Sequence, residues 1–85
     1  MAGPTHIYFA QSEAQAKIRK RVRVTGVELL SGIGQDVPIG ALGQVTDCKE
    51  ANIQGWEVVI SWNSHGLEGT TRVPKSQYET YLEEM

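Results

Sequence analysis

The clearest pattern along the chain is an alternation of apolar and polar residues in its second half. In an extended backbone, Trp56, Val58, Ile60 and Trp62 share one face. Aromatic and β-branched residues of this kind favour strands. The pattern therefore predicts a strand from Trp56 to Trp62, with its apolar face turned to the core.

A second alternation begins at Arg21 and continues to Val27. Val22 and Val24 point to one side of an extended chain, while Arg21 and Arg23 point to the other. This arrangement predicts a strand with one solvated face.

Two further strands are predicted over Leu42 to Cys48 and over Thr70 to Val73. Gly40 precedes the first of them and marks a bend. Pro74 ends the second, because proline has no N–H to donate to a neighbouring strand.

Short helices are predicted at both ends of the chain. Ser12 and Gln15 have the spacing of a capping box, which predicts a helix from Glu13 to about Lys20. After a second capping box at Ser76, apolar residues recur with the i, i+3, i+4, i+7 spacing of a terminal helix. These apolar residues are Tyr78, Tyr81, Leu82 and Met85.

Glycine, proline and aspartate are dense between residues 31 and 40, which predicts a long loop. The loop contains no phosphate-binding glycine motif. It is interpreted either as a recognition loop, in which Ile33 and Asp36 contact a partner, or as a plain connector.

Together these elements predict a mainly β fold, a small antiparallel barrel with a short helix at each end. Residues 1–20 are interpreted as an N-terminal extension and residues 21–85 as the barrel. The segments Arg21-Val22-Arg23-Val24, Gly40 to Val45, Trp56 to Trp62 and Arg72-Val73-Pro74 resemble the layout of SH3-like small barrels, including KOW-type domains. The layout is also similar to that of the variable chain of ferredoxin-thioredoxin reductase. The resemblance implies a fold and leaves the role open.

The chain has 85 residues, 40% of them hydrophobic, and a net charge of −2, which suits one small domain. Its single cysteine, Cys48, cannot form an intramolecular disulfide, so a reducing, cytoplasmic environment is expected. No segment approaches the roughly 18 consecutive apolar residues of a membrane span, and none is expected to bind a membrane. With two histidines and one cysteine, no metal site or cofactor is expected.

Positive charge is concentrated in one short segment. Five cations lie within seven residues and are called the basic run: Lys17, Arg19, Lys20, Arg21 and Arg23. Clustered cations bind carboxylates of an acidic protein or phosphates of a nucleic acid. They also occur as a solvated strand edge. The net negative charge of the chain favours a protein partner over a nucleic acid.

These observations favour a non-enzymatic protein-binding module, an accessory or regulatory subunit of a larger complex. Trp62, at the end of its strand, is expected to be the more exposed tryptophan and to provide apolar contact. A nucleic-acid-binding domain that uses the basic run is the alternative. A small enzyme would need oligomerisation to enclose a pocket, and the sequence leaves the oligomeric state open. The candidate partner-binding residues are Lys17, Arg19, Arg21, Arg23, Trp62, Ile33 and Asp36.

Overall fold

The computed structural model describes residues 7–25, 29–30, 36–51, 55–64 and 66–85, and for residues 29, 30 and 36 it describes the backbone alone. In this part of the chain, two short helices and seven strands follow one another, and the fold is mainly β, as predicted. Their order is α1 (Gln11–Lys17), β1 (Arg21–Val24), β2 (Leu29–Leu30), β3 (Asp36–Val37), β4 (Leu42–Ala51), β5 (Gly55–Trp62), β6 (Thr70–Val73), α2 (Lys75–Tyr81) and β7 (Leu82–Glu84).

Five strands form one antiparallel sheet in the order β6-β5-β4-β1-β7. The strands predicted in residues 42–48, 56–62 and 70–73 are present as β4, β5 and β6. The strand predicted in residues 21–27 is present as β1 up to Val24, and residues 26 and 27 lie outside the described residues. β4 is longer than predicted because its hairpin with β5 continues to Ala51, past a bulge between Val45 and Asp47. β2 and β3 pair with each other in a separate two-stranded sheet.

The core lies against the inner face of the five-stranded sheet. Its fully buried aliphatic side chains are Val22, Val24, Val37, Val45, Val58, Ile60 and Val73. The segment before α1 joins the same core, because the Phe9 ring is buried and meets the edge of the Tyr78 ring at 5.6 Å between centroids. Phe9 also exchanges two backbone hydrogen bonds with Trp56, of 3.0 and 2.9 Å. Residues on both sides of position 20 thus build one core.

Trp62 belongs to this core, so the expectation that it is exposed is wrong. Its side chain is 4% exposed, and its indole Nε1–H donates to the Thr71 hydroxyl at 2.8 Å. Gly43 lies opposite Trp62 on β4, and a Cβ there would lie only 2.7 Å from the indole ring and from Ile60. The missing side chain of Gly43 therefore makes the space that the indole fills.

The terminal helix ends earlier than the apolar spacing predicts. α2 stops at Tyr81, and Leu82 has extended φ and ψ of −122° and 146°. Leu82 to Glu84 then form β7 beside β1, with Leu82 buried and Met85 exposed. The extended conformation is favoured because it buries Leu82 and satisfies backbone groups of β1 that would otherwise lie at a sheet edge.

The first helix also differs from its prediction at both ends. It begins after Ala10, whose N–H donates to Glu13 Oε1 at 2.9 Å, so Ser12 is not the capping residue. It ends at Lys17, because Ile18 has a non-helical ψ of 131° and Arg19 has a φ of 82°, in the left-handed region.

Within the described residues, both helices have seven residues, and neither is long and apolar enough to cross a membrane.

Replacing Thr71 with Val should lower the free energy of unfolding by about 1–3 kcal/mol, because the buried indole N–H of Trp62 then has no acceptor. The measurement is urea unfolding followed by circular dichroism. Thr70→Val is the matched control: Thr70 is exposed on the same strand, and its replacement should change stability by less than about 0.5 kcal/mol. Equal stability of the two variants would contradict the role given to the Trp62–Thr71 hydrogen bond.

Candidate binding surface

The basic run extends from the end of α1 into β1. Lys17 is the last residue of α1, Arg19 and Lys20 lie in the connection, and Arg21 and Arg23 lie on the outer face of β1. All but Lys17 are exposed. Because β1 lies between β4 and β7, the run is flanked by structure on both sides and is not the solvated sheet edge considered above.

Lys17 is engaged in a contact that joins α1, α2 and β7. Its Nζ lies 2.6 Å from Glu84 Oε2, and the Tyr78 hydroxyl donates to the same oxygen at 2.7 Å. The ammonium group also lies 5.2 Å from the centroid of the Tyr78 ring. Hydrogen bonds from Lys17 and Tyr78 lower the pKa of Glu84, while burial and the Glu84 carboxylate raise the pKa of Tyr78.

Arg23 is paired in the same way with the neighbouring acidic residue of β7. Its guanidinium forms a salt bridge with Glu83, which lies directly opposite it in the β1–β7 register. Two of the five cations are therefore neutralised by consecutive carboxylates of the last strand.

Arg21 has a different neighbour, which lies just past the end of β7. Met85 donates its backbone N–H to the carbonyl of Arg21 at 2.9 Å. Arg21 therefore has an apolar residue beside it, whereas Arg23 has Glu83. Among the described residues, no ion pair or hydrogen bond engages the guanidinium of Arg21. This guanidinium thus remains available to a carboxylate from another molecule.

A depression of about 290 Å³ is lined in part by Arg21 and is called the Arg21 depression. It combines one positive charge with two side-chain amides and two apolar side chains. Met85 is 68% exposed. The residues that line the depression are Arg21, Leu42, Gly43, Gln44, Asn63 and Met85.

Arg19 is held close to this depression by its backbone. Its N–H donates to the Val45 carbonyl at 2.7 Å, and its own carbonyl accepts from Gln44 Nε2 at 3.3 Å. These bonds hold Arg19 at its φ of 82°, a conformation that is unfavourable for a residue with a Cβ. Among the described residues its guanidinium, like that of Arg21, has no ion pair.

The structure brings together four of the predicted contact residues, Lys17, Arg19, Arg21 and Arg23, along β1 and its approach. It removes Trp62 from the surface, because that side chain lies in the core. The remaining predicted contacts fall on the loop: Ile33 lies outside the described residues, and so does the side chain of Asp36, whose backbone forms part of β3.

Sequence reasoning missed the apolar and amide residues of the surface. Leu42 and Gln44 lie beside β1 because Arg23 pairs with Leu42 and Arg21 with Gln44 in the β1–β4 register. Period-two alternation places both on the outer face of their strand, but the pairing register was needed to place them beside the arginines.

A second depression, of about 370 Å³, lies near the far end of the β4–β5 hairpin. Here the cation is already paired: Arg72 Nε lies 3.2 Å from Glu57 Oε1, and its Nη2 donates to the Glu50 carbonyl at 3.2 Å. Its charge is therefore satisfied within the fold, in contrast to that of Arg21.

Comparison with protein-family models, with curated proteins and with solved structures finds no match for this chain. The candidate site therefore rests on the geometry described above.

The Glu84 contact makes a pH-dependent contribution to stability. Because the pKa of Glu84 is lowered in the folded protein, the contribution is present above the ordinary value of 4.5 and is lost as the pH falls through the lowered pKa. Glu84→Gln should therefore lower the melting temperature at about pH 7. Between about pH 7 and about pH 3, the melting temperature of this variant should decrease less than that of the wild type. The control Glu79→Gln, at an exposed position on α2, should retain the wild-type pH profile. Parallel profiles of Glu84→Gln and wild type would contradict this account.

The left-handed backbone of Arg19 gives a further expectation. Arg19→Gly should raise the free energy of unfolding by about 0.5–1 kcal/mol, because glycine adopts positive φ without the steric penalty of a Cβ. Arg19→Ala also removes the guanidinium but keeps the Cβ, and it should not stabilise the protein. Urea unfolding distinguishes the two, and equal effects would show that the charge, not the backbone, is responsible.

Proposed function

We propose that this protein is a non-enzymatic protein-binding module, an accessory or regulatory subunit that binds a larger protein through the Arg21 depression. The observation that carries the proposal is exposed Arg21, whose guanidinium lacks a carboxylate partner among the described residues. Arg21 lines one depression together with Leu42 and Met85. Arginine next to apolar side chains is typical of protein interfaces.

The composition of the depression supports binding rather than catalysis. Its lining provides a guanidinium, amides, an aliphatic side chain and a thioether, and none of these described side chains is a nucleophile or a general base of the usual kinds. A cytoplasmic location is part of the proposal, and it rests on the single cysteine, Cys48.

A protein is favoured over a nucleic acid as the partner. Glu83 and Glu84 lie beside the basic run and would repel phosphates. Trp62, which could have stacked on a base, is buried. The remaining unpaired cations are too few for the extended phosphate contacts of a typical nucleic-acid interface.

The fold proposed for the module is an SH3-like barrel. Its support is the strand order, in which β4, β5 and β6 follow one another across the sheet and β7 returns beside β1. In the described residues β6 and β7 are the two edges of the sheet, and closure would bring these edges together.

The test is affinity capture from a lysate of the source cells with wild-type protein and two charge-reversed variants. Arg21→Glu should reduce recovery of the bound protein by roughly tenfold or more, because it replaces the attractive charge by a repulsive one. Lys49→Glu is the matched control: it makes the same change in net charge at an exposed position of β4, and it should leave recovery unchanged.

Equal recovery with Arg21→Glu and wild type would contradict the proposal. Capture of RNA or DNA in place of protein, with an affinity that falls steeply as salt is raised, would instead support the nucleic-acid alternative.

A further inference from the structure

Arg21 and Arg23 lie on the same face of β1 but have different neighbours. Arg23 faces Glu83 across the β1–β7 pair and forms a salt bridge with it. Arg21, two positions earlier on the same strand, is bonded through its backbone to Met85 instead. The fold therefore supplies a carboxylate to one arginine and an apolar side chain to the other.

The Arg23–Glu83 pair is an example, within the fold, of the contact that an arginine on the outer face of β1 makes. A guanidinium next to a carboxylate gives a strong, directional, charge-assisted contact. At Arg21 the same donor group is present, and the lining adds amides from Gln44 and Asn63. A ligand group complementary to this end of the depression is a carboxylate.

The other end of the depression is apolar. Leu42 and Met85 line the depression together with Arg21, and Met85 is largely exposed to solvent. Methionine adapts its shape to different apolar neighbours, and it is common at surfaces that bind varied apolar groups. The complement here is an apolar side chain, and at about 290 Å³ the depression has room for only a small part of a partner chain.

We propose that the Arg21 depression recognises a carboxylate that a partner protein presents next to a large apolar side chain. The carboxylate binds Arg21, and the apolar side chain packs on Leu42 and Met85. This inference rests on the proposed function and specifies the chemistry of the partner. The carboxylate is that of an acidic side chain, as in the Arg23–Glu83 pair, and binding through the C-terminus of the partner chain is an outcome that the experiment detects.

The probe is an end-blocked peptide, acetyl-Gly-Glu-Leu-Gly-amide, titrated into ¹⁵N-labelled full-length protein. A contact of this size should bind weakly, with a Kd on the order of 1 mM, because a flexible peptide loses conformational freedom on binding. The expected shifts are at the backbone amides of residues 21 and 42–44. Replacing Glu by Gln, or Leu by Ala, should weaken binding by roughly tenfold and threefold respectively. Acetyl-Gly-Gly-Leu is compared with its C-terminal amide, and this pair of peptides tests whether a C-terminal carboxylate binds.

Variants of the protein complete the experiment. Arg21→Gln should abolish the shifts, whereas Lys49→Gln should leave them unchanged. Met85→Glu places a carboxylate of the chain itself beside Arg21, as Glu83 lies beside Arg23, and it should block the peptide. A native amide spectrum shows that each variant is folded.

Equal binding of the Glu and Gln peptides, unaltered binding to Arg21→Gln, or the absence of any shift would overturn the inference. So would concentration-dependent self-association that occupies the same amides, since the occupant would then be a second copy of the chain. If the peptides fail while protein capture remains sensitive to Arg21→Glu, the ligand chemistry is wrong and the proposed function stands. If capture does not respond to Arg21→Glu, the proposed function itself fails.

Discussion

The pairing of β7 with β1 is the interaction on which the rest of this structure depends. It joins residues about sixty positions apart in the chain and places β1 in the interior of the sheet. It also brings two consecutive glutamates to the basic run. Without β7, β1 would be a sheet edge, and Arg21 and Arg23 would lie on an open strand.

The magnitudes indicate what holds β7 in place. Exposed ion pairs such as Arg23–Glu83 contribute only about 0–1 kcal/mol each. Burial of an aliphatic side chain such as Leu82 contributes about 1.5–3 kcal/mol. The strand is therefore anchored mainly by Leu82 and its backbone hydrogen bonds, and the glutamates chiefly determine which cations remain available for binding.

Much of the sheet could be predicted from the sequence because strand signals are local. The alternation around Val22 and around Ile60 marks strands whatever their partners are. The burial of Trp62 could not be predicted in this way, because the space for its ring is created by Gly43 on another strand. β7 was missed for a related reason: Leu82 fits a helical spacing as well as a strand, and only its distant partner in β1 decides between them.

The candidate site shows the same division between local and distant information. The cluster of cations is visible in the sequence, but nothing local distinguishes Arg21 from Arg23. The difference arises from their neighbours, Met85 just after β7 and Glu83 within it, and hence from tertiary pairing.

α2 passes into β7 without an intervening loop, so the helix and the last strand form one continuous unit. In a strand, a displacement by a single residue reverses which side chains face outward. A slip of β7 that brought Glu84 opposite Arg21 would turn Leu82 towards water and give Arg21 an acidic neighbour from its own chain. The burial of Leu82 thus fixes the register of β7, and this register leaves Arg21, and not Arg23, without a carboxylate from its own chain.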